Sequence, residues 1–212
     1  MFLRGKLAHG LPFLVLSVCL ACPVQVQASQ RTILVLGDSI SAAYGMSLEQ
    51  GWVALMAEQL HSQPGRYSVV NASISGETTA GGLRRLPDLL QQHNPGLVII
   101  ELGGNDGLRG YPIGTLRNNL RQLVQLSADA GAGVVLLPVE IPPNYGARYT
   151  GSFRDSFVQV AQETRSRLAP FILQGVATDP GLMQADGIHP KVTAQVRMLE
   201  NVLPTVLEAL AE

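Results

Sequence analysis

Few residues in this sequence can move a proton or attack a carbonyl near neutral pH. Of the four histidines, His9 lies just before the amino-terminal apolar run, and His61 and His93 each end a segment of helical period. A cation at a helix carboxyl terminus is favoured by the macrodipole, so both have a structural explanation. His189 differs. It stands in Asp186-Gly187-Ile188-His189-Pro190, with an aspartate three residues before it and a proline stiffening the exit. A carboxylate that near can accept from one ring nitrogen and fix the tautomer, leaving the other nitrogen to face a nucleophile. Alone, an Asp-x-x-His pair is better explained as a cap on the last helix.

Ser39 reverses those odds. It follows an apolar strand and the pair Gly37-Asp38, so its hydroxyl is expected at the strand's carboxyl end. A serine there also caps a helix, and the two uses are compatible because its backbone amide stays free to bind an anion. The G-x-S-x-G elbow of the α/β-hydrolases is absent. Gly104-Asn105-Asp106 reads as a tight polar turn opening onto the same edge, where the Asn105 amide can donate to a developing oxyanion. Gly76 can bring a second backbone amide to that point.

These residues need a scaffold that gathers distant loops. Val- and Ile-rich runs alternate with segments of helical period, the pattern of a parallel sheet covered on both faces. The strands expected are Thr32 to Leu36, Ser68 to Ala72, Leu97 to Leu102, Val134 to Val139 and a weaker Phe171 to Leu173. The helices expected are Trp52 to Leu60, Ala80 to Gln92, Thr115 to Ala130, Phe153 to Leu168 and Thr193 to Leu210. Pro87 should disturb the second helix, and Pro204 should kink or break the last. The fold class is therefore α/β, a three-layer α/β/α sandwich on a central parallel sheet of five strands, with flavodoxin-like architecture. Ligands in such folds sit at the carboxyl ends of the strands, where Ser39, Gly76 and Asn105 fall.

Composition narrows the rest. Arg4 and Lys6, the apolar run Leu11 to Cys22 and the small-x-small pattern Val26-Gln27-Ala28 read as a cleaved secretory signal over residues 1–28. The run is too short to span a membrane, so no stable insertion is expected. A lipid-modified Cys22 is a lesser reading. Removing 28 of 212 residues leaves 184, a single domain over 29–212. Without Arg4 and Lys6 it has 13 basic and 16 acidic residues, a formal charge of −3, and no basic stripe for nucleic acid. Both cysteines, Cys19 and Cys22, lie in the leader, which excludes a cysteine nucleophile and a disulfide.

In order, Gly37-Asp38-Ser39, Gly76, Gly103-Gly104-Asn105-Asp106 and Asp186-Gly187-Ile188-His189-Pro190 resemble the blocks of the GDSL, or SGNH, hydrolase family across the whole mature chain. Ile40 stands where that family often has leucine. The runs 71–78, Glu101 to Gly110 and Pro142-Pro143-Asn144-Tyr145-Gly146 resemble, more narrowly, its bacterial periplasmic thioesterase, lysophospholipase and arylesterase group. The resemblance implies Ser39 as nucleophile, His189 as base, Asp186 as its support, and an oxyanion hole of the Ser39 and Gly76 amides with the Asn105 side chain. It implies a covalent acyl-enzyme, no metal or organic cofactor, and an apolar acyl groove lined by Ile40, Leu108, Ile141, Tyr145 and Ile188. The expected partner is a small acyl ester or thioester, a lysophospholipid among them. The protein is expected to be a monomer in the periplasm or outside the cell. Two other readings stay open: a carbohydrate or peptidoglycan O-acetyl esterase, and a non-catalytic periplasmic binding module holding a ligand on Ser39 and Asn105.

Overall fold

A computed structural model describes Met1, residues 31–62 and residues 67–211. Residues 2–30, on which the expected export signal and both cysteines fall, and residues 63–66, with the expected Pro64-Gly65 turn, lie outside the described residues. Five parallel strands form one sheet: β1 (Arg31–Gly37), β2 (Tyr67–Asn71), β3 (Leu97–Glu101), β4 (Gly133–Leu136) and β5 (Arg167–Leu168). Their order is β2-β1-β3-β4-β5, so the connections run outward in opposite directions from the gap between β1 and β3. That reversal leaves a crevice at the carboxyl ends of β1 and β3, the usual ligand site of such sheets.

Alternate residues of each strand serve opposite faces. Ile33 and Val35 pack with Trp52, Met56 and Leu60 of α1 (Trp52–His61) and with Met198, Val202 and Val206 of α6 (Gln195–Leu210). Leu34 and Leu36 pack on the other side, against α2 (Thr79–His93), α4 (Ile113–Asp129) and α5 (Ala147–Thr164). A short α3 (Gly104–Leu108) follows β3 directly. Both sheet faces are thus dry, which is why the strands read as continuous apolar runs. Among the described residues no helix is long and apolar enough to cross a membrane.

Three expectations need correction. The fifth strand is Arg167–Leu168, paired with Val135 and Leu136, and not Phe171 to Leu173. Arg165, at a left-handed φ of 57°, ends α5 early and releases the two residues that pair. Residues 171–173 are apolar because Ile172 and Leu173 pack against the core as turns. Secondly, α2 and α6 run unbroken through Pro87 and Pro204. Both prolines are exposed, so each ring sits on the solvent side of its helix, while Leu86 and Leu90, or Val202 and Val206, hold the buried side. Finally, Gly104-Asn105-Asp106 is the first turn of α3 and not a free turn. Asp106 is buried and accepts the backbone N–H and the hydroxyl of Thr79 at the start of α2, which fixes that turn.

Candidate active site

The chain leaves β1 at Gly37 and closes at once into a helical turn, with the Ala42 N–H donating to the Asp38 carbonyl at 2.9 Å and the Tyr44 N–H to the Ser39 carbonyl at 3.1 Å. This turn presents Ser39, half-buried, at the rim of the sheet. Opposite it, residues 182–191 fold into a small antiparallel loop. The Gln184 N–H donates to the His189 carbonyl, and the Lys191 N–H to the Leu182 carbonyl, each at 2.7 Å. A bridge between Met183 and Pro190 closes the loop.

That loop brings His189 to Ser39. The His189 Nε2 to Ser39 Oγ distance is 2.9 Å, and Nδ1 lies 2.7 Å from Asp186 Oδ2. Asp186 Oδ1 accepts the backbone N–H groups of Ile188 and His189 at 2.9 and 3.0 Å. The His189 N–H, then its ring, then the Ile188 N–H hold the Asp186 carboxyl down at about 2. An ionised carboxylate only accepts, so Nδ1 carries the ring proton and Nε2 offers its lone pair to the Ser39 hydroxyl. The alternative use of Asp186, capping the last helix, is ruled out, since its oxygens are spent within its own loop and the helical segment begins after Lys191.

Asn105, on the first turn of α3, donates from Nδ2 to Asp38 Oδ2 at 3.1 Å. Gly76 is the third residue of a turn closed by the Glu77 N–H on the Ile74 carbonyl, at a φ of 80° that favours glycine. The exposed Arg109, just past α3, donates to the Gly76 carbonyl at 3.1 Å. The backbone N–H groups of Ser39 and Gly76 have no acceptor among the described residues.

Ser39, His189 and Asn105 open on one cleft of about 620 Å³. Ile40, Leu108, Ile141 and Ile188 line it, and Phe171, Leu173 and Met183 add further apolar surface. Gly76 and Tyr145 stand outside that lining. The Tyr145 hydroxyl donates to the Leu108 carbonyl at 2.8 Å, tying the two rim loops together. Among the described residues no group of three or more His, Cys, Asp or Glu side chains is placed to hold a metal ion.

Two features escape sequence reasoning. Tyr44 lays its ring against the His189 imidazole, with centroids 4.2 Å apart, and its carbonyl accepts from Gln184 Nε2 at 2.9 Å. The nucleophile turn and the histidine loop are thus clamped by residues 140 positions apart. The second feature is a pair of buried acids beneath Ser39: Asp38 is 3% and Glu101 1% exposed. Glu101 Oε2 accepts from the Ser41 hydroxyl at 2.8 Å, and Oε1 is buried without a partner among the described residues. In the sequence the pair shows only as Asp38 inside the Gly37-Asp38-Ser39 block and as an acid closing the buried run Leu97–Glu101.

Burial first, then the neighbouring Asp38 charge, holds the Glu101 carboxyl well above the ordinary range, and burial pushes Asp38 up to about 6. An acid that keeps its proton more tightly when folded binds more protons in the native state. Stability therefore falls as pH rises from the ordinary Glu value of about 4.3 towards the folded value. Glu101→Gln removes this group's share. Thermal unfolding from pH 5 to pH 9 is expected to show a shallower alkaline decline in Tm for the variant. Parallel declines would mean that Glu101 ionises as an ordinary carboxyl.

A model of the GDSL-like Lipase/Acylhydrolase family matches residues 35–195. The chain is 53% identical over 194 residues to the esterase TesA of Pseudomonas aeruginosa, covering 91% of this chain and 96% of that protein. It is 46% identical over 168 residues to thioesterase 1/protease 1/lysophospholipase L1 of Escherichia coli K12, covering 79% of each. The crystal structure of the psychrotrophic esterase EstA from Pseudoalteromonas sp., inhibited by monoethylphosphonate, matches with a TM-score of 0.82 at 43% identity, covering 86% of this chain and 100% of that one. By family match, by identity along nearly its whole length and by fold, the chain belongs to the GDSL-like lipase/acylhydrolases.

Proposed function

We propose that the protein is a serine hydrolase of acyl esters and thioesters that works through Ser39, His189 and Asp186. The observation that carries this reading is the continuous path from Asp186 through His189 to the Ser39 hydroxyl, with contacts of 2.7 and 2.9 Å, at the wall of an apolar cleft. Ser39 Oγ attacks the acyl carbonyl while Nε2 takes its proton. The resulting oxyanion is met by the Ser39 and Gly76 amides and the Asn105 Nδ2. His189 then returns the proton to the departing alcohol or thiol, leaving the acyl group on Ser39. A water that gives its proton to Nε2 attacks this ester; the bond from the acyl carbon to Ser39 Oγ then breaks, Nε2 returns the proton to Oγ, and the acid leaves. Throughout, Asp186 holds the ring and supports the imidazolium.

Ile40, Leu108, Ile141, Phe171, Leu173 and Ile188 give the cleft an apolar lining suited to an acyl chain, with Glu140 and Gln174 among its polar groups. A lysophospholipid would present such a chain. The relatives named esterase and thioesterase support the same bond classes. A sugar O-acetyl esterase would have less use for this apolar length. We assign residues 1–28 to a cleaved export signal and residues 29–212 to the working domain. It acts as a monomer in the periplasm or outside the cell.

A panel of aryl esters and acyl thioesters of graded chain length, set against acetylated glycans, tests the reading. We expect kcat/KM to rise with chain length until the cleft is filled. Activity confined to acetylated sugars would overturn the acyl-chain assignment.

A further inference from the structure

We propose that Asp38 is a positioning residue whose carboxylate sets the orientation of the Asn105 amide and its distance from the nucleophile turn. This inference rests on the reading of Asn105 as an oxyanion donor. Asp38 sits at the switch point between β1 and β3, where its carboxylate reaches both sides. Oδ2 accepts Asn105 Nδ2 at 3.1 Å, and Oδ1 accepts the Ile40 N–H, beside Ser39, at 3.0 Å. One side chain thus spans the two elements that supply the Ser39 amide and the Asn105 amide.

An Asn side chain that nothing holds has two orientations. Its amide can rotate half a turn and exchange N–H groups for a carbonyl oxygen, which would repel an oxyanion. Among the described residues the Asn105 side chain has no hydrogen-bond partner besides Asp38. A carboxylate oxygen only accepts, so it admits the nitrogen and rejects the flipped oxygen. With one N–H held by Asp38, the second N–H on the same nitrogen is free for the reacting carbonyl.

The site is built around this carboxylate. Asp38 is 3% exposed, and its own N–H leans on Glu101 Oε2 at 3.4 Å. A Cβ at Gly104 would stand 3.1 Å from Asp38 Oδ2, close enough to press that oxygen aside by a few tenths of an ångström. The Ile40 N–H and the Asn105 amide both draw the Asp38 carboxyl down against the burial that raises it, so each favours the ionised acceptor. This network gives a use to Asp38, a buried acid that proton transfer to and from Ser39 leaves idle, with Glu101 accepting from its backbone and from Ser41.

Asp38→Asn tests the proposal, because the isosteric amide has one acceptor where two donors must be met. We expect kcat to fall by roughly 10-fold to 100-fold with KM near the wild-type value, the signature of a donor misplaced in the transition state. The decisive readout is a double-mutant cycle with Asn105→Ala: in that background Asp38→Asn should change kcat little. Gly104→Ala, which crowds the same carboxylate from the cleft, should behave alike and carries the test if Asp38→Asn does not fold. A full, additive kcat loss from these variants in the Asn105→Ala background would overturn the positioning role while leaving Asn105 as donor. A kinetically silent Asn105→Ala would instead remove the oxyanion reading, and this inference with it.

Discussion

Ser39→Ala is expected to lower kcat/KM for acyl esters by about 10⁴-fold or more, leaving only what binding and the oxyanion donors supply. The magnitude follows from the geometry. No other hydroxyl stands at 2.9 Å from His189 Nε2, and the described chain holds no thiol to replace it. His189→Ala is expected to fall to a similar floor, because a neutral serine without its base is a poor nucleophile at neutral pH. The double variant should be no slower than either single one, since the two residues act as a unit. A phosphonate ester should label the wild-type protein once per chain, at Ser39 by peptide mass, and should leave Ser39→Ala unmodified. Ser39→Ala should keep the wild-type Tm closely, as its side chain belongs to neither buried apolar cluster, while His189→Ala also gives up the packing against Tyr44. Retained turnover in Ser39→Ala, or a label on another residue, would end the nucleophile assignment and favour a binding module.

The parts of the fold that could be read in advance are those where burial alone decides. β1, β3 and β4 are covered on both faces, so their apolar runs had a single interpretation. β5 escaped because two residues at a sheet edge carry no periodicity, while Ile172 and Leu173 carry a strong apolar signal that serves the core and the cleft. The prolines misled for a related reason: whether a proline breaks a helix depends on which side faces water, and a linear sequence states that only weakly.

The site shows the same division. Asp186 and His189 sit in one loop, so their pairing is a local property of five residues. Ser39 and Asn105 were legible because the sheet order delivers both to the crevice between β1 and β3. The Tyr44 contact with His189 and the Gln184 clamp were not, since each joins loops that only the finished sheet brings together. Glu101 was hidden for a different reason. An acid at the end of a strand ordinarily faces solvent, and only the closure of the Asp38 to Ser41 turn over it makes it a buried group.

Asn105→Ala is expected to lower kcat by about 10² to 10³ with little change in KM or Tm, because the donor is worth most to a charge that exists only in the transition state. The amide is half-buried and bonded to Asp38, so its removal leaves a carboxylate oxygen short of one partner at the cleft wall, where water can replace it. That substitution of water for protein keeps the fold cost small and separates the kinetic effect from instability. Asn105→Asp gives a sharper contrast. It preserves volume but sets a second carboxylate against Asp38 and presents oxygen where a donor is needed, so it should be slower than the alanine variant at pH 8. It should recover partly as pH falls and one of the two carboxyls takes up a proton. Pre-steady-state acylation with an aryl ester would place the loss in formation of the first tetrahedral species. If Asn105→Ala acylated at the wild-type rate, the charge would be carried by the backbone amides of Ser39 and Gly76 alone, and the side chain would belong to the wall of the cleft and not to its chemistry.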